Sequence, residues 1–304
     1  MVDVPAALRA RAEGRPSWDD WLARAPRLSD DLIHEWRLRV DGPTLSGNCA
    51  MVVPVRTDDG REAVLKLTWP HWEAETEHLA LRAWQGDGAV ELWRADPRRF
   101  ALLLERASVD RDLHALGVLD ACEVVAGLYR RLHVDPLPQT RRLSDLCREW
   151  LGRLPVLLDA NLISRRFVSQ AERLLRDFAG DPETDLALIH SDLHYFNVLA
   201  AEREPWLAID PKPLAGDPGY EVGPLLGNRW DEIMAAASPR QALLDRLFTV
   251  VDVAGLDEDR VRDWVVVREV CNVLWTYEEH LREGAAIQHD WVTAATTIIK
   301  AVQR

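Results

Sequence analysis

From residue 45 to residue 105 the chain reads as short strands around a single helix, and beyond residue 105 it reads mostly as helix. That segregation excludes an alternating β/α order and leaves an α+β layout, a small sheet followed by a helical body. Ala50–Arg56 and Ala63–Leu67 are β-rich runs on either side of Asp58-Asp59-Gly60, which predicts a hairpin. Leu45-Ser46-Gly47-Asn48 closes another turn in the same sheet. A helical pattern runs through Glu73, Glu77, Leu81 and Trp84 to Gly86-Asp87-Gly88, and two further strand-like runs follow, Val90–Arg94 and Phe100–Leu104. Leu119–Leu132, Leu143–Leu157, Phe167–Phe178 and the stretches after Ala235 carry apolar residues at helical spacing. The first forty residues read as short surface helices punctuated by Pro5, Pro16 and Pro26. The expected architecture is therefore two lobes, residues 1–105 with a helical leader and an antiparallel sheet, and residues 106–304 mainly helical.

Charge narrows the partners. The 304 residues hold 37 Lys+Arg against 50 Asp+Glu, a formal net charge of −13. Such a field repels phosphate backbones and anionic lipid, so no nucleic-acid or membrane partner is expected, and a cationic small molecule is favoured. Cys49, Cys122, Cys147 and Cys271 form no C-x-x-C pair and read as free thiols of a reducing compartment. Residues 1–14 lack the apolar core of a secretion signal, and no apolar run approaches a membrane span. These features predict a cytoplasmic protein.

The strongest local signal is His190-Ser191-Asp192-Leu193-His194-Tyr195-Phe196-Asn197, between the apolar runs Leu186–Ile189 and Trp206–Ile209, with Asp210 following Ile209. The spacing H-x-D-L-x-x-x-N is that of a kinase catalytic loop. Phosphoryl transfer needs a carboxylate beside the nucleophilic hydroxyl, the place of Asp192. It also needs hard oxygen ligands for Mg²⁺, here Asn197 and Asp210. A hairpin loop is expected to place Asp192 and Asn197 on one side of a cleft.

Lys66 interrupts the apolar strand Ala63–Leu67, which is costly unless its ammonium faces a cleft. A strand lysine of this kind holds the α- and β-phosphates and is aligned by a glutamate of the next helix. Glu77 is the favoured partner and Glu73 the alternative. Ser46-Gly47-Asn48 lies where a phosphate-covering turn belongs, although it lacks G-x-G-x-x-G. Backbone groups of Glu105 and Ala107, at the lobe junction, are placed to read an adenine edge.

The set Ala63–Leu67, Leu102–Arg106, Ile189–Leu199 and Ile209-Asp210-Pro211-Lys212-Pro213 resembles the aminoglycoside/hydroxyurea antibiotic-resistance kinases, within them the streptomycin 6-phosphotransferase and hydroxyurea phosphotransferase branches. Trp69-Pro70-His71, Gly86–Val90 and Gly216-Asp217-Pro218 extend the likeness over roughly residues 40–300. The resemblance implies a bilobal protein-kinase-like fold and O-phosphorylation of a small molecule with ATP and Mg²⁺, GTP being the alternative donor. It assigns Asp192 as base, Asn197 and Asp210 as metal ligands and Lys66 as phosphate anchor. Asp210-Pro211-Lys212 stands where protein kinases have D-F-G, and no A-P-E segment follows, which argues against protein substrates.

Two rivals belong to other classes. His190, Asp192 and His194 form an H-x-D-x-H run with the ligand types of a metal-dependent hydrolase, without a companion motif. A non-catalytic pseudokinase predicts loss of Lys66, Asp192, Asn197 or Asp210, and all four are present. For the acceptor, Arg268, Asn272, Trp275 and Glu279 form one stripe of a C-terminal helix, with Glu269 beside it, and Asn228–Asp231 form a second candidate wall. Asn228, Asp231, Glu269, Asn272, Trp275 and Glu279 are the candidate acceptor contacts. The net charge favours a cationic aminoglycoside over neutral hydroxyurea.

Overall fold

The hairpin expected after residue 50 is the spine of an antiparallel sheet. The structure, a computed structural model, describes residues 2–303. Two helices, α1 (Ala6–Ala12) and α2 (Pro16–Glu35), lead into β1 (Arg39–Val40), β2 (Leu45–Ser46), β3 (Ala50–Arg56), β4 (Glu62–Thr68), α3 (Glu77–Trp84), β5 (Leu92–Asp96) and β6 (Ala101–Glu105). The strands lie in the order β1-β3-β4-β6-β5, with β2 also on β3. β3 and β4 pair without a slip from Ala50↔Thr68 to Arg56↔Glu62. The turn between them closes through Gly60 N–H donating to Thr57 O at 2.9 Å, with Gly60 at φ +86°, a conformation open to glycine.

The leader departs from expectation. It is not a set of surface helices: Trp18, Trp21, Ala25 and Leu32 form a buried stripe on α2 that shares one core with Met51, Val53, Val55, Leu65 and Leu67 of the sheet. The three- and four-residue spacing of that stripe is the signature of a helix lying on a sheet. Trp18 stacks on Trp69 with ring centroids 5.1 Å apart. Pro16 starts α2, where its missing N–H costs nothing, but the helix continues through Pro26. An interior proline costs about 3 kcal/mol, an amount that burial of two tryptophans and a leucine offsets.

Beyond β6 the chain forms β7 (Ser108–Asp112), α4 (Val118–Leu132), β8 (Arg141–Arg142), α5 (Leu143–Arg153), α6 (Val156–Ala160), α7 (Arg165–Gly180), β9 (Ala187–Ile189), β10 (Val198–Ala200), β11 (Leu207–Ala208) and β12 (Leu214–Gly216). It ends in α8 (Gly223–Leu226), α9 (Trp230–Ala235), α10 (Pro239–Ala254), α11 (Glu258–Glu283) and α12 (His289–Val302). The expected helix Leu143–Leu157 is interrupted, as α6 begins after Pro155. The strand before the H-x-D motif does not form a hairpin with the one after it: β9 pairs antiparallel with β12, which pairs parallel with β8. Strands of two or three residues carry too little periodicity to reveal such a partner.

The chain divides into two compact units, residues 1–109 with Ala200–Ile209, and Asp110–Leu199 with Asp210–Arg304. The second is thus not one continuous segment from residue 106. Ala200–Ile209 is held within the first unit by Val90 N–H donating to Ala208 O at 3.0 Å and Ala208 N–H donating to Gly88 O at 2.9 Å. Arg203 reinforces this, donating to Gly86 O at 2.8 Å, to Ala89 O at 3.0 Å and to Glu105 Oε2 at 2.9 Å. Among the described residues no helix is long and apolar enough to cross a membrane. The four cysteines are free thiols, and all but Cys49 are buried.

Candidate active site

In the first unit, β4 carries Lys66 between Leu65 and Leu67, both without exposure, and Lys66 itself is only 5 % exposed. Its Nζ lies 2.6 Å from Glu77 Oε1, at the first residue of α3. Glu77 is the partner, and Glu73 is not: a 3₁₀ turn at Trp72–Ala74 carries Glu73, whose carboxylate lies 3.7 Å from His71 Nε2. A carboxylate at a helix start is also favoured by the helix dipole.

Ser46-Gly47-Asn48 forms the β2–β3 turn, with Gly47 N–H donating to Ala50 O at 2.8 Å. A Cβ on Gly47 would meet nothing closer than 3.6 Å, and its φ is not left-handed, so the turn does not demand glycine. Asn48 Oδ1 accepts from Arg11 at 2.5 Å. At the end of β6, Glu105 N–H donates to Glu91 O at 2.9 Å and its carboxylate is taken by Arg203 and Glu91 N–H. Glu105 therefore has its N–H and side chain committed.

In the second unit, the loop from His190 to Asn197 is braced at one strained residue. Ser191 adopts φ +61°, unfavourable for a side-chain-bearing residue. All its polar groups are engaged: N–H donates to Glu221 Oε1 at 2.5 Å, Oγ to Lys212 O at 2.6 Å, and its carbonyl accepts from Arg268 Nη1 at 3.1 Å. Glu221 is fully buried and also lies 2.9 Å from His133 Nε2. Burial opposes its ionisation, but the bonds and charges of His133, His190 and Ser191 N–H hold its carboxyl below the usual range.

The brace sets the residues that follow. Asn197 Nδ2 donates to Asp192 O at 2.8 Å, which commits the amide nitrogen and leaves Oδ1 as a hard oxygen donor. Asp210 sits at φ +56°. Lys212 Nζ bonds Asp192 Oδ2 and lies 3.8 Å from Asp210 Oδ2. Burial raises the cost of the Asp192 charge, yet Lys212, His194 and Arg268 outweigh it and keep the carboxyl below its ordinary value. Burial shifts His194 below the ordinary histidine value, against the opposing pull of Asp192. Among the described residues no three His, Cys, Asp or Glu side chains converge as metal ligands. The H-x-D-x-H run forms no such cluster, because His190 is fully buried and accepts from Asp192 N–H at 3.3 Å.

The proposed acceptor residues separate. Asn228 is committed to the loop, its Oδ1 accepting from Tyr195 N–H at 2.7 Å and its Nδ2 donating to Pro224 O at 3.0 Å. Both ends of its amide thus help to hold the loop, and one N–H and one lone pair of that amide remain. Asp231 is exposed at the start of α9. Asn272, Trp275 and Glu279 lie half-buried on α11 with Arg268, whose guanidinium stands 4.7 Å from the Tyr220 ring and 5.6 Å from that of Trp275. Glu269 is buried, accepts from Asn272 Nδ2 at 3.2 Å, and is pushed up to about 7 by burial. Glu221 and Lys212 were not among the site residues expected from sequence, and Arg268, expected on the acceptor stripe, instead donates to the Ser191 carbonyl of the loop. The signal available for Lys212 was its place between Pro211 and Pro213, two residues after the metal-ligand candidate Asp210.

Residues 35–280 match the family described as aminoglycoside/hydroxyurea antibiotic resistance kinase. The chain belongs to this family. It is 40 % identical over 305 residues to a streptomycin 6-kinase of Streptomyces glaucescens, covering 98 % of this chain and 97 % of that one. It is 39 % identical to a hydroxyurea phosphotransferase of Kitasatospora aureofaciens, covering 92 % and 82 %. Among solved structures, that of aminoglycoside phosphotransferase APH(4)-Ia superposes with a TM-score of 0.60 at 17 % identity, covering 91 % of this chain and 99 % of that one. This likeness shows the fold, the bilobal protein-kinase-like one. As a member of the resistance-kinase family the chain is a phosphotransferase with a hydroxyl group as acceptor.

Proposed function

We propose that the chain transfers the γ-phosphoryl group of ATP to a hydroxyl of a cationic aminoglycoside of the streptomycin class, in the cytoplasm, as a resistance enzyme. The observation that carries this reading is the braced loop, in which a strained Ser191 is fixed on three sides and presents Asp192, with Asn197 tied to the Asp192 carbonyl. Asp192 accepts the proton of the acceptor hydroxyl as its oxygen attacks phosphorus. In the first unit the Lys66–Glu77 pair holds the α- and β-phosphates, and the open turn at Ser46-Gly47-Asn48 lets a phosphate approach the backbone. Glu105 O and Ala107 N–H read the adenine edge.

The donor set fits Mg²⁺. An amide oxygen of Asn197 and a carboxylate of Asp210 are hard ligands, and Mg²⁺ takes few protein ligands because phosphates and water complete its shell. When bound, the ion supplies charge neutralisation on the phosphates. Four free cysteines suit a reducing cytoplasm.

The relatives named for streptomycin and for hydroxyurea support the two acceptor classes almost equally. The net charge of −13 favours the cation. The deciding experiment is a coupled ADP- and GDP-release assay across streptomycin, other aminoglycosides and hydroxyurea. Turnover with streptomycin and ATP is expected. Turnover confined to hydroxyurea would overturn the acceptor assignment.

A further inference from the structure

We propose that Lys212 is a further catalytic residue of this reaction, the cation that meets the phosphoryl group in transit from nucleotide to acceptor. The inference rests on the reading of Asp192 as the base. Its ground is a placement within the second unit. One ammonium bonds Asp192 Oδ2 and stands 3.8 Å from Asp210 Oδ2, so it lies at the base and near the metal-holding carboxylate together. An acceptor hydroxyl must sit against Asp192, and phosphates must sit at the ion that Asp210 holds. A phosphoryl group passing from one to the other passes Lys212.

The placement is built, not incidental. Lys212 N–H donates to His190 O at 3.0 Å, and Lys212 O accepts from Ser191 Oγ at 2.6 Å, so its backbone is stitched to the loop on both sides of the peptide. Pro211 and Pro213 flank it and fix two backbone dihedrals. Its side chain is 23 % exposed and that of Asp192 20 %, which leaves the ammonium reachable by a ligand while part of its hydration is lost.

The chemistry requires a cation there. As the acceptor oxygen forms its bond to phosphorus, its proton passes to Asp192. The bond from phosphorus to the bridging oxygen breaks, and that electron pair leaves with ADP. Asp192 is then neutral, and the Lys212 ammonium has lost the anion it bonds most closely, with Asp210 Oδ2 still 3.8 Å away. The new phosphate monoester, attached to the oxygen whose proton Asp192 has taken, brings an anion back to that side of the ammonium. Lys212 thus moves its hydrogen bonds from carboxylate to phosphoryl oxygens during the step, and an interaction that strengthens toward the transition state accelerates it. A cation held against a base weakens that base, a cost that makes sense where the cation has this second task.

The test compares Lys212→Met, Lys212→Arg and Lys212→Ala with Asp192→Asn. Lys212→Met should lower kcat about 100-fold or more, the usual loss for one donor to a transition-state oxyanion. KM for the acceptor, ADP affinity by calorimetry and the melting temperature should stay close to the parent's. Lys212→Arg should retain more activity than Lys212→Met, and added ethylammonium should restore part of the kcat of Lys212→Ala. A kcat of Lys212→Met within threefold of the parent would overturn the proposal. So would a parallel loss of kcat, ADP affinity and melting temperature with no rescue by amine, because that is the pattern of a loop brace. If Asp192→Asn also turned over normally, the reading of the base would fall, and that outcome is distinct from a failure confined to Lys212.

Discussion

Lys66 Nζ and Glu77 Oε1 meet at 2.6 Å with both side chains almost withdrawn from water. Removing one partner of such a buried pair typically costs 3–5 kcal/mol, roughly the amount expected for Glu77→Gln. The double variant Lys66→Met/Glu77→Gln should recover most of that stability in denaturant unfolding, since both charges are then removed together. It should not recover activity. Restored turnover in the double variant would show the pair to be structural alone.

Asp192→Asn should cut kcat by about 10²–10⁴ and leave ADP binding nearly intact, because the amide cannot accept the hydroxyl proton. Pre-steady-state phosphate transfer and calorimetry separate the two effects. Turnover within a few-fold of the parent would remove Asp192 from its role.

Glu269 provides a pH dependence whose sign follows from burial. Its carboxyl titrates at about 7 when folded and near the ordinary 4.5 when unfolded. The folded chain therefore holds this proton more tightly, and the stability linked to it is complete below the unfolded value and lost as pH rises through about 7. From about pH 5 to about pH 8 this group should withdraw on the order of 3 kcal/mol. Urea unfolding of Glu269→Gln across that range should lack the decline. If a cationic acceptor pairs with Glu269, its binding near pH 6 should release a proton, seen as a buffer-dependent binding enthalpy.

Removal of divalent metal should abolish turnover, and Mg²⁺ or Mn²⁺ should restore it, given the oxygen donors of Asn197 and Asp210. Activity persisting unchanged in excess EDTA, or activity requiring zinc, would contradict the donor assignment. In the same assays KM for a cationic acceptor should rise with KCl, because the attraction of an acidic chain is screened beyond about 8 Å at physiological ionic strength.

Where chemistry dictates both residue type and spacing, candidate residues stand out in the sequence. Asp192, Asn197 and Asp210 stand in one short stretch, and Lys66 is conspicuous because an ammonium inside an apolar strand needs a reason. What could not be read is what holds them. Ser191 is braced by Glu221 and Arg268, 30 and 77 residues away, and no local pattern marks a carboxylate that will meet a particular N–H. The same distance effect hides that the Asn228 amide supports Tyr195, 33 residues away. In the leader, proline punctuation predicts breaks, whereas α2 runs through Pro26. The three-stranded arrangement of β8, β12 and β9 has no signature in sequence because each strand is too short to show a period.

The return of Ala200–Ile209 to the first unit bears on how such enzymes can be recombined. A chimaera joined near residue 109 would inherit Gly86, Ala89, Val90 and Glu105 from one parent and their partners Arg203 and Ala208 from the other. Two exchanged segments are needed to move this unit intact. A single crossover tests instead how well two lineages agree on one arginine.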